Sequence, residues 1–169
     1  MNLAPALAAV LLVLTTSCGD TPQQKVDAAQ ASLNAGDFAA ARTTAEEALS
    51  TEAVKADAQL TWRLEKLRLD ALAASRQAPE ILATLKRLQP TFGTKLDVPL
   101  YTTLAGKLSQ AREHLGAIDV VQAGIEKFPE QKANFDGIIN ILKLAAEEAG
   151  EAGDNAALEK LSQLGYLSR

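Results

Sequence analysis

The sequence predicts an all-α fold, and three observations support that prediction. The 169-residue chain is rich in Ala, Leu, Glu, Gln and Lys and poor in β-branched and aromatic residues, a composition that favours helices. Apolar residues recur at intervals of three and four, which is the helical period. Glycine, proline and acidic residues divide these periodic stretches into segments of helix length. The chain is long enough for one domain with a hydrophobic core.

The first helical hairpin has the clearest boundaries. The stretch 21–24, Thr-Pro-Gln-Gln, predicts a helix start with a threonine cap, a proline in the first turn and a glutamine three residues after the cap. This helix is expected to end near Asn34, because Gly36 can adopt the left-handed conformation and Asp37 can cap a second helix over 38–50. One face of that second helix carries Phe38, Ala41, Ala45, Ala48 and Leu49.

The next segment is the longest periodic stretch, predicted as one helix over 53–75. It is apolar on two faces, so we expect it to lie between neighbouring helices. The two faces carry Leu60, Leu64, Leu67, Ala71 and Ala74, and Trp62, Leu69 and Leu72. A shorter helix is predicted to open at Pro79 and to close at Pro90, followed by a loop over 91–97.

Four more helices complete the pattern. Their inward residues are Leu100, Leu104, Leu108 and Ala111; Leu115, Ile118, Val121, Ile125 and Phe128; Phe135, Ile138, Ile139, Leu142, Ala145 and Ala149; and Leu158, Leu161 and Leu164. Pro129 ends the second of these four, Gly150, Gly153 and Asp154 form a turn after the third, and 165–167 pack over the end of the last. The sequence therefore predicts eight helices in four hairpins.

The first hairpin resembles the tetratricopeptide repeat (TPR) at Gly36, Asp37, Phe38, Ala41 and Ala48. The resemblance implies a right-handed TPR-like solenoid of about four hairpins, in which the first helix of each hairpin lines a concave groove. Pro90 and Pro129 lie 39 residues apart, which is close to one hairpin, and four stacked hairpins can bury a continuous core. The alternative fold is an irregular helix bundle.

The same resemblance places eleven polar side chains on the groove, where the family binds peptides or partner helices. These candidates are Gln23, Asp27, Gln30, Arg63, Lys66, Asp70, Thr102, Thr103, Asn140, Lys143 and Glu147. Ordinary helix-surface polarity is the alternative explanation for each. Arg63 and Lys66 are the strongest candidates because they share one helix face. Val26 and Gln30 stand at two positions where the family grips a C-terminal carboxylate with lysine and asparagine, so that specificity is not predicted.

The N-terminus predicts export and lipidation. Residues 3–14 form an uncharged apolar run with the length of a signal-peptide core, too short for an ordinary membrane span. The stretch 15–18, Thr-Thr-Ser-Cys, resembles a bacterial lipobox, which implies a signal peptide over 1–17, a lipidated Cys18, a short tether over 18–21 and a helical domain over 22–169. Gly19 resembles lipoproteins sorted to the outer membrane, so we expect a lipid anchor there and a periplasmic location. The alternative is a plain secretory signal with a chance cysteine.

Charge is distributed unevenly along the chain. The net charge is −4, which argues against nonspecific nucleic-acid binding as the main role. The region 55–112, here called the basic middle, carries ten basic and five acidic side chains, whereas acids dominate on both sides of it. This excess indicates either ordinary solvated helix faces or a basic patch that faces an acidic partner.

Catalytic and metal-binding patterns do not occur in the sequence. His114 is the only histidine and Cys18 the only cysteine, which argues against a transition-metal site. No phosphate-binding glycine loop or nucleophile elbow is present. The acidic pairs at 46–47 and 147–148 diverge by about 100° on a helix and cannot work together as an acid and a base. We therefore predict no enzyme and no cofactor.

These observations favour a lipid-anchored envelope scaffold that binds another protein through its groove, and by analogy with TPR lipoproteins its role would be in the assembly of an envelope complex. The first alternative is a periplasmic carrier of a lipid or hydrophobic ligand, with a cavity lined by residues such as Trp62, Leu69 and Phe135. The second is a cell-surface protein that binds glycan or peptidoglycan. It would need exposed aromatic rings, and the chain has one tryptophan and two tyrosines.

Overall fold

The structure is a computed structural model that describes residues 21–167. These residues form helices and turns without any strand, which confirms the all-α prediction. The α-helices are α1 (Pro22–Asn34), α2 (Phe38–Ser50), α3 (Glu52–Lys55), α4 (Ala58–Ala74), α5 (Ala78–Phe92), α6 (Val98–Gln110), α7 (His114–Lys127), α8 (Asp136–Glu151) and α9 (Ala156–Gln163). Two 3-10 segments, Gly93–Lys95 and Pro129–Phe135, connect α5 to α6 and α7 to α8. The predicted signal peptide over 1–17, Cys18 and Gly19 lie outside the described residues.

Over residues 21–167, the chain offers no helix with both the length and the apolar character needed to cross a bilayer.

The first hairpin has the predicted boundaries and caps. The Thr21 hydroxyl accepts a hydrogen bond from the Gln24 backbone N–H at 3.3 Å, and the Gln24 side chain accepts one from the Thr21 N–H at 2.7 Å. Together they form a capping box. Gly36 has a φ of +79°, and the Asp37 carboxylate accepts a hydrogen bond from the Ala40 N–H at 3.0 Å. Local sequence alone therefore accounts for both helix ends.

The turns within all four hairpins share one backbone geometry. The hairpins are α1–α2, α4–α5, α6–α7 and α8–α9. A residue with positive φ follows the first helix of each: Gly36, Arg76, Arg112 and Gly153. The next N–H then donates to the carbonyl five residues earlier, at 2.8–2.9 Å, in the pairs Asp37–Ser32, Gln77–Leu72, Glu113–Leu108 and Asp154–Ala149. This is the Schellman pattern that ends helices. The sequence predicted this turn at the two hairpins that contain glycine. Arg76 and Arg112 adopt the same positive-φ conformation although neither is glycine.

The prediction of one helix over 53–75 was wrong. The segment is divided into α3 and α4 at Asp57, whose backbone is extended and whose carboxylate accepts hydrogen bonds from the Gln59 and Leu60 N–H groups at 2.9 and 3.0 Å. Val54 on α3 is fully buried, and the Thr61 hydroxyl donates to its carbonyl at 2.7 Å. The short helix is therefore held by burial and a tertiary hydrogen bond, although it continues the helical period of the sequence.

The predicted end of the fourth helix at Pro90 was also wrong. Helix α5 continues to Phe92 with Pro90 in its last turn. The predicted loop over 91–97 contains a 3-10 turn and a fully buried Leu96. Phe92 is buried as well and its ring lies 5.5 Å from that of Trp62. Packing of these apolar side chains keeps the segment ordered despite the missing proline N–H.

The remaining predictions agree with the structure in most respects. Helices α6 to α9 occur where the periodicity placed them. Gly150, predicted to lie in a turn, is within α8, which ends at Glu151. Because α3 is a separate helix, residues 21–167 contain nine α-helices rather than the eight predicted for the chain. Tyr166 and Leu167 pack back against the core, as predicted.

Helix α4 joins two hydrophobic clusters. Its residues Leu64 and Leu67 pack with buried residues of α1, α2 and α3. Its residues Leu69 and Leu72 belong to a larger cluster that includes side chains from α5 to α9. This arrangement confirms the prediction that a helix with two apolar faces lies between neighbours. The predicted small face of α2 is buried too, at Ala41, Ala45 and Ala48.

The pairwise packing of helices brings the first helices of the hairpins together in sequence order. Helix α1 packs against α4, α4 against α6, and α6 against α8. Of the second helices, α5, α7 and α9 contact one another in order, whereas α2 packs against α4. Each hairpin is closed by packing of its own two helices. Side chains on α1, α4 and α6 can therefore contribute to one shared surface.

Candidate functional site

Two adjacent cavities lie on the surface formed by α1, α4 and α6. The α4–α6 cavity has a volume of about 420 Å³ and is lined by Trp62, Lys66, Asp70, Thr94, Lys95, Asp97, Pro99, Leu100 and Thr103. The α1–α4 cavity has a volume of about 280 Å³ and is lined by Val26, Asp27, Gln30, Arg63, Lys66, Leu67 and Asp70. Lys66 and Asp70 line both, so the two cavities are neighbours. We refer to them together as the groove.

Seven of the eleven predicted groove residues are brought together here. Asp27, Gln30, Arg63, Lys66, Asp70 and Thr103 line the groove. Gln23 joins them because its side chain accepts a hydrogen bond from Arg63 Nη1 at 2.9 Å and donates one to Asp27 at 2.7 Å. The other four lie elsewhere. The Thr102 hydroxyl donates to carbonyls of its own helix, and Asn140, Lys143 and Glu147 on α8 line neither cavity.

The acidic groups of the groove already have partners within the fold. The Asp70 carboxylate forms an ion pair with Lys107 Nζ at 2.7 Å. Asp97 caps α6 by accepting a hydrogen bond from the Leu100 N–H at 3.0 Å. Asp27 accepts its hydrogen bond from the amide of Gln23. Among residues 21–167, Asp70 is therefore ion-paired, whereas Asp27 and Asp97 are hydrogen-bonded to neutral groups.

The cations of the groove lack carboxylate partners. Arg63, Lys66 and Lys95 are exposed, and no carboxylate oxygen among residues 21–167 lies within 4 Å of their charged nitrogens. Arg63 bonds only to the neutral Gln23 side chain. The ammonium of Lys95 lies 5.5 Å from the centre of the Trp62 ring, within range of a cation–π interaction. The groove can therefore offer three positive charges to an anionic ligand.

No protein-family model, curated protein or solved structure matches this chain.

A second charged surface lies on α2, α4 and α5, and its charges are balanced. This charge network consists of Arg42, Glu46, Glu65, Arg68, Glu80 and Arg87. Glu65 is its most buried member, with a side chain only 4% exposed, and one guanidinium nitrogen of Arg87 lies 2.8 Å from both its oxygens. Arg68 contacts Glu65 at 3.6 Å and Glu46 at 2.9 Å. Three arginines and three glutamates neutralise one another.

The network also changes the acidity of Glu46. Burial alone raises its pKa, but hydrogen bonds and charges from Arg42 and Arg68 outweigh that effect and hold the pKa below its usual 4.5. The two donor contacts to Glu46 measure 3.0 and 2.9 Å. Glu46 therefore stabilises the fold in its ionised form.

The sequence did not single out Trp62 or Lys95 as groove residues. Trp62 was placed on an apolar face, and it lines the α4–α6 cavity while its ring also packs against Phe92. Lys95 was placed in a loop, and the 3-10 turn carries it over the Trp62 ring. Neither position follows from helical periodicity, because both depend on how the α5–α6 connection packs against α4.

The residues named for the carrier and glycan-binding alternatives lie partly in the core and partly at the groove. Leu69 and Phe135 are fully buried in the core, and a Cβ added at Gly124 would lie only 2.7 Å from the Phe135 ring, so packing there is tight. Trp62 instead lines the open α4–α6 cavity. Tyr101 is buried and Tyr166 is half-buried.

Residues 21–167 hold no cluster of three or more potential metal ligands. His114 begins α7 directly after the hairpin turn, as its predicted turn position suggested. Its Nδ1 is buried and has no hydrogen-bond partner, and the residue lines a cavity of about 400 Å³ between the C-terminal ends of α6 and α8.

Proposed function

We propose that this protein is a lipid-anchored envelope scaffold whose groove binds another protein. In this proposal the four hairpins, α1–α2, α4–α5, α6–α7 and α8–α9, form a right-handed TPR-like solenoid. The protein works by binding rather than by catalysis, and it needs no cofactor. Its ligand is a protein segment rather than a nucleic acid.

The solenoid proposal is supported by regular features of the described residues. The first helices of the hairpins begin at Pro22, Ala58, Val98 and Asp136, at intervals of 36, 40 and 38 residues. Successive first helices contact one another, and the same Schellman turn recurs within each hairpin. An irregular bundle does not require equal spacing or a repeated turn.

One observation carries the binding proposal. Side chains from α1, α4 and α6 line two adjoining cavities, and three of the cations there have no carboxylate partner. Interfaces use charge complementarity to select partners and to set the orientation of binding. A polar surface whose charges are unsatisfied by the fold is therefore better suited to a partner than the self-neutralised charge network.

The proposed anchor is a lipid on Cys18, which lies four residues before the first residue of α1. So short a connection would hold the helical domain close to the membrane surface. In this proposal the anchor lies in the outer membrane and the domain faces the periplasm. Replacing Cys18 with serine should move the protein from the membrane fraction to the soluble fraction of the cell. Equal membrane retention of the Cys18→Ser protein would contradict the lipid anchor.

Site-specific photo-crosslinking in the native cell tests the groove. A photoreactive residue at Thr103 lies in the α4–α6 cavity, whereas one at Thr43 lies on the exposed surface of α2, outside the groove. We expect a dominant protein adduct from Thr103 that Thr43 does not give, and we expect Lys66→Glu to abolish it. The same adducts from both positions, or no protein adduct from Thr103, would overturn the proposed function.

A further inference from the structure

We propose that the groove binds an internal acidic segment of the partner protein. In this arrangement side-chain carboxylates bind Arg63, Lys66 and Lys95, and an apolar side chain next to them packs against Trp62. The inference rests on the proposed function, because it specifies the chemistry of the segment that the groove would hold.

The charged groups of the groove that lack an ion pair determine which ligand charge is favoured. Of the three acids of the groove, Asp70 is ion-paired with Lys107, and Asp97 and Asp27 accept hydrogen bonds from the N-terminus of α6 and from Gln23. None of the three cations has a carboxylate oxygen within 4 Å among residues 21–167; Arg63 bonds to the Gln23 amide and Lys95 lies near the Trp62 ring. A carboxylate that approaches them forms charge-assisted hydrogen bonds without displacing an existing ion pair. A basic segment would find two carboxylates without an ion pair among the described residues, Asp27 and Asp97, and would have to compete with Lys107 for Asp70.

The apolar part of the lining selects the neighbouring residue. Trp62, Pro99 and Leu100 line the same cavity as Lys66 and Lys95. The Trp62 ring is half-buried, its centre lies 5.5 Å from that of Phe92, and the Lys95 ammonium lies 5.5 and 5.8 Å from the centres of the two rings. Aromatic side chains that present a supported ring at a surface are frequent anchors of protein interfaces. An aromatic or aliphatic residue flanked by acids matches both parts of the cavity.

The dimensions of the groove fit a short segment. It crosses three successive helices, whose axes pack about 8–10 Å apart, so its length is roughly 20 Å. An extended chain covers that distance in about six residues. The segment therefore needs only two or three acidic residues around one apolar residue.

The groove favours side-chain carboxylates over a chain terminus or a phosphate backbone. Val26 is buried, and the Gln30 amide is bonded to Asn34 at 2.9 Å, so these two positions present no cation to a terminal carboxylate. Asp27, Asp70 and Asp97 interrupt the row of cations. They would repel the continuous charge of a nucleic-acid backbone or an anionic bilayer, whereas a peptide can place neutral residues opposite them.

Peptide binding to the purified full chain in detergent tests this inference. The probe is a fluorescent peptide with blocked ends, acetyl-Gly-Asp-Glu-Phe-Glu-Asp-Gly-amide, compared with its Asn/Gln counterpart by fluorescence anisotropy. We expect the acidic peptide to bind at least tenfold more tightly than the amide peptide. Arg63→Glu with Lys66→Glu should remove that preference, and a Lys-substituted peptide should bind this double variant at least tenfold better than it binds the wild type.

A matched control separates the groove from the overall charge. Arg76→Glu with Lys86→Glu changes the charge by the same amount within the basic middle, but neither residue lines the groove. This control should keep the acidic preference, and Lys66→Gln should weaken it with a single smaller change. Equal binding of the acidic and amide peptides, or equal loss in the control, would overturn the inference.

The two proposals can fail separately. If Thr103 gives the protein crosslink but the protein does not prefer the acidic peptide, the scaffold function stands and the acidic-segment inference is wrong. The opposite result is that Thr103 gives no protein adduct while Arg63 and Lys66 are required for preferential binding of the acidic peptide. In that case the groove binds acidic peptides, but the scaffold function in the cell is wrong.

Discussion

The groove and the charge network draw on the same basic middle of the sequence but use its charges differently. In the network, Arg68 and Arg87 are paired with Glu65 and Glu46. In the groove, Arg63 and Lys66 have no carboxylate partner although they lie on the same helix as Glu65 and Arg68. One helix therefore presents a self-neutralised face and an unsatisfied face. The excess of positive charge in the sequence does not distinguish the groove from the charge network. The ion pairs formed in the folded protein distinguish them.

The difference predicts opposite roles for the two sets of charges. Charges of the network should matter for stability, because Glu65 is buried and loses solvation that only its partners replace. Charges of the groove should matter for binding and little for stability, because their side chains are exposed.

The largest expected effect is on the network. Replacing Arg68 and Arg87 together with methionine leaves the buried Glu65 carboxylate without a cation. We expect the free energy of unfolding to fall by about 3 kcal/mol, the lower end of the cost of a buried unpaired charge. Urea denaturation followed by circular dichroism measures it.

The matched comparison is Arg63→Met with Lys66→Met, which removes two cations from the other face of α4. We expect a change below about 0.5 kcal/mol, as for most exposed substitutions. Equal destabilisation by the two double variants would show that the faces do not differ as described.

A smaller effect on the free energy of unfolding is expected at Arg76. This residue belongs neither to the charge network nor to the groove. Its φ of +61° lies in the left-handed region, where a side chain is strained. Arg76→Gly should raise the free energy of unfolding by about 0.5 kcal/mol, because relief of strain exceeds the added entropy of the unfolded chain. The acidic peptide should bind this variant as it binds the wild type. Destabilisation, or weaker peptide binding, would contradict our account of this residue.

The smallest expected effect is the pH dependence that Glu46 contributes. Its pKa in the folded protein lies below the usual 4.5, so its ionised form adds stability above about pH 4.5 and loses it as the pH falls through the folded value. The stability advantage of the wild type over Glu46→Gln should therefore shrink on acidification from pH 5. The advantage should be below about 0.5 kcal/mol because the side chain is partly exposed.

Denaturation series from pH 6 to pH 3 measure this difference. The groove variant Arg63→Met with Lys66→Met should follow the wild type over the same range, because neither cation is paired with a carboxylate. A constant gap between the wild type and Glu46→Gln at all pH values would argue against the role given to Glu46.

Local signals were sufficient for much of the fold. The capping box at Thr21 and the turn at Gly36 and Asp37 set the first hairpin, because each depends on residues within one helical turn. The break at Asp57 was missed because the helical period continues through Val54. The turn geometry at Arg76 and Arg112 was not predicted because neither residue is glycine.

The site was predictable only where it follows from helix faces. Arg63 and Lys66 line the groove as their spacing on α4 indicated. Lys95 could not be predicted, because packing of Phe92 and Leu96 positions its segment over Trp62. Asn140 and Glu147 lie outside the two cavities because the lining residues come from α1, α4, the α5–α6 connection and α6. Helix faces in the sequence do not show how far a cavity extends along a row of helices.

The central claim is that the acidic ligand occupies the groove, and the intrinsic fluorescence of Trp62 tests it most directly. Trp62 is the only tryptophan of the chain and lines the α4–α6 cavity, so its emission reports on that cavity without a label at the site. Titration with the unlabelled acidic peptide should change the emission with the same midpoint as a competition experiment followed by anisotropy, and Lys66→Glu should abolish both signals. Peptide binding that leaves the Trp62 emission unchanged would place the ligand elsewhere and contradict the account.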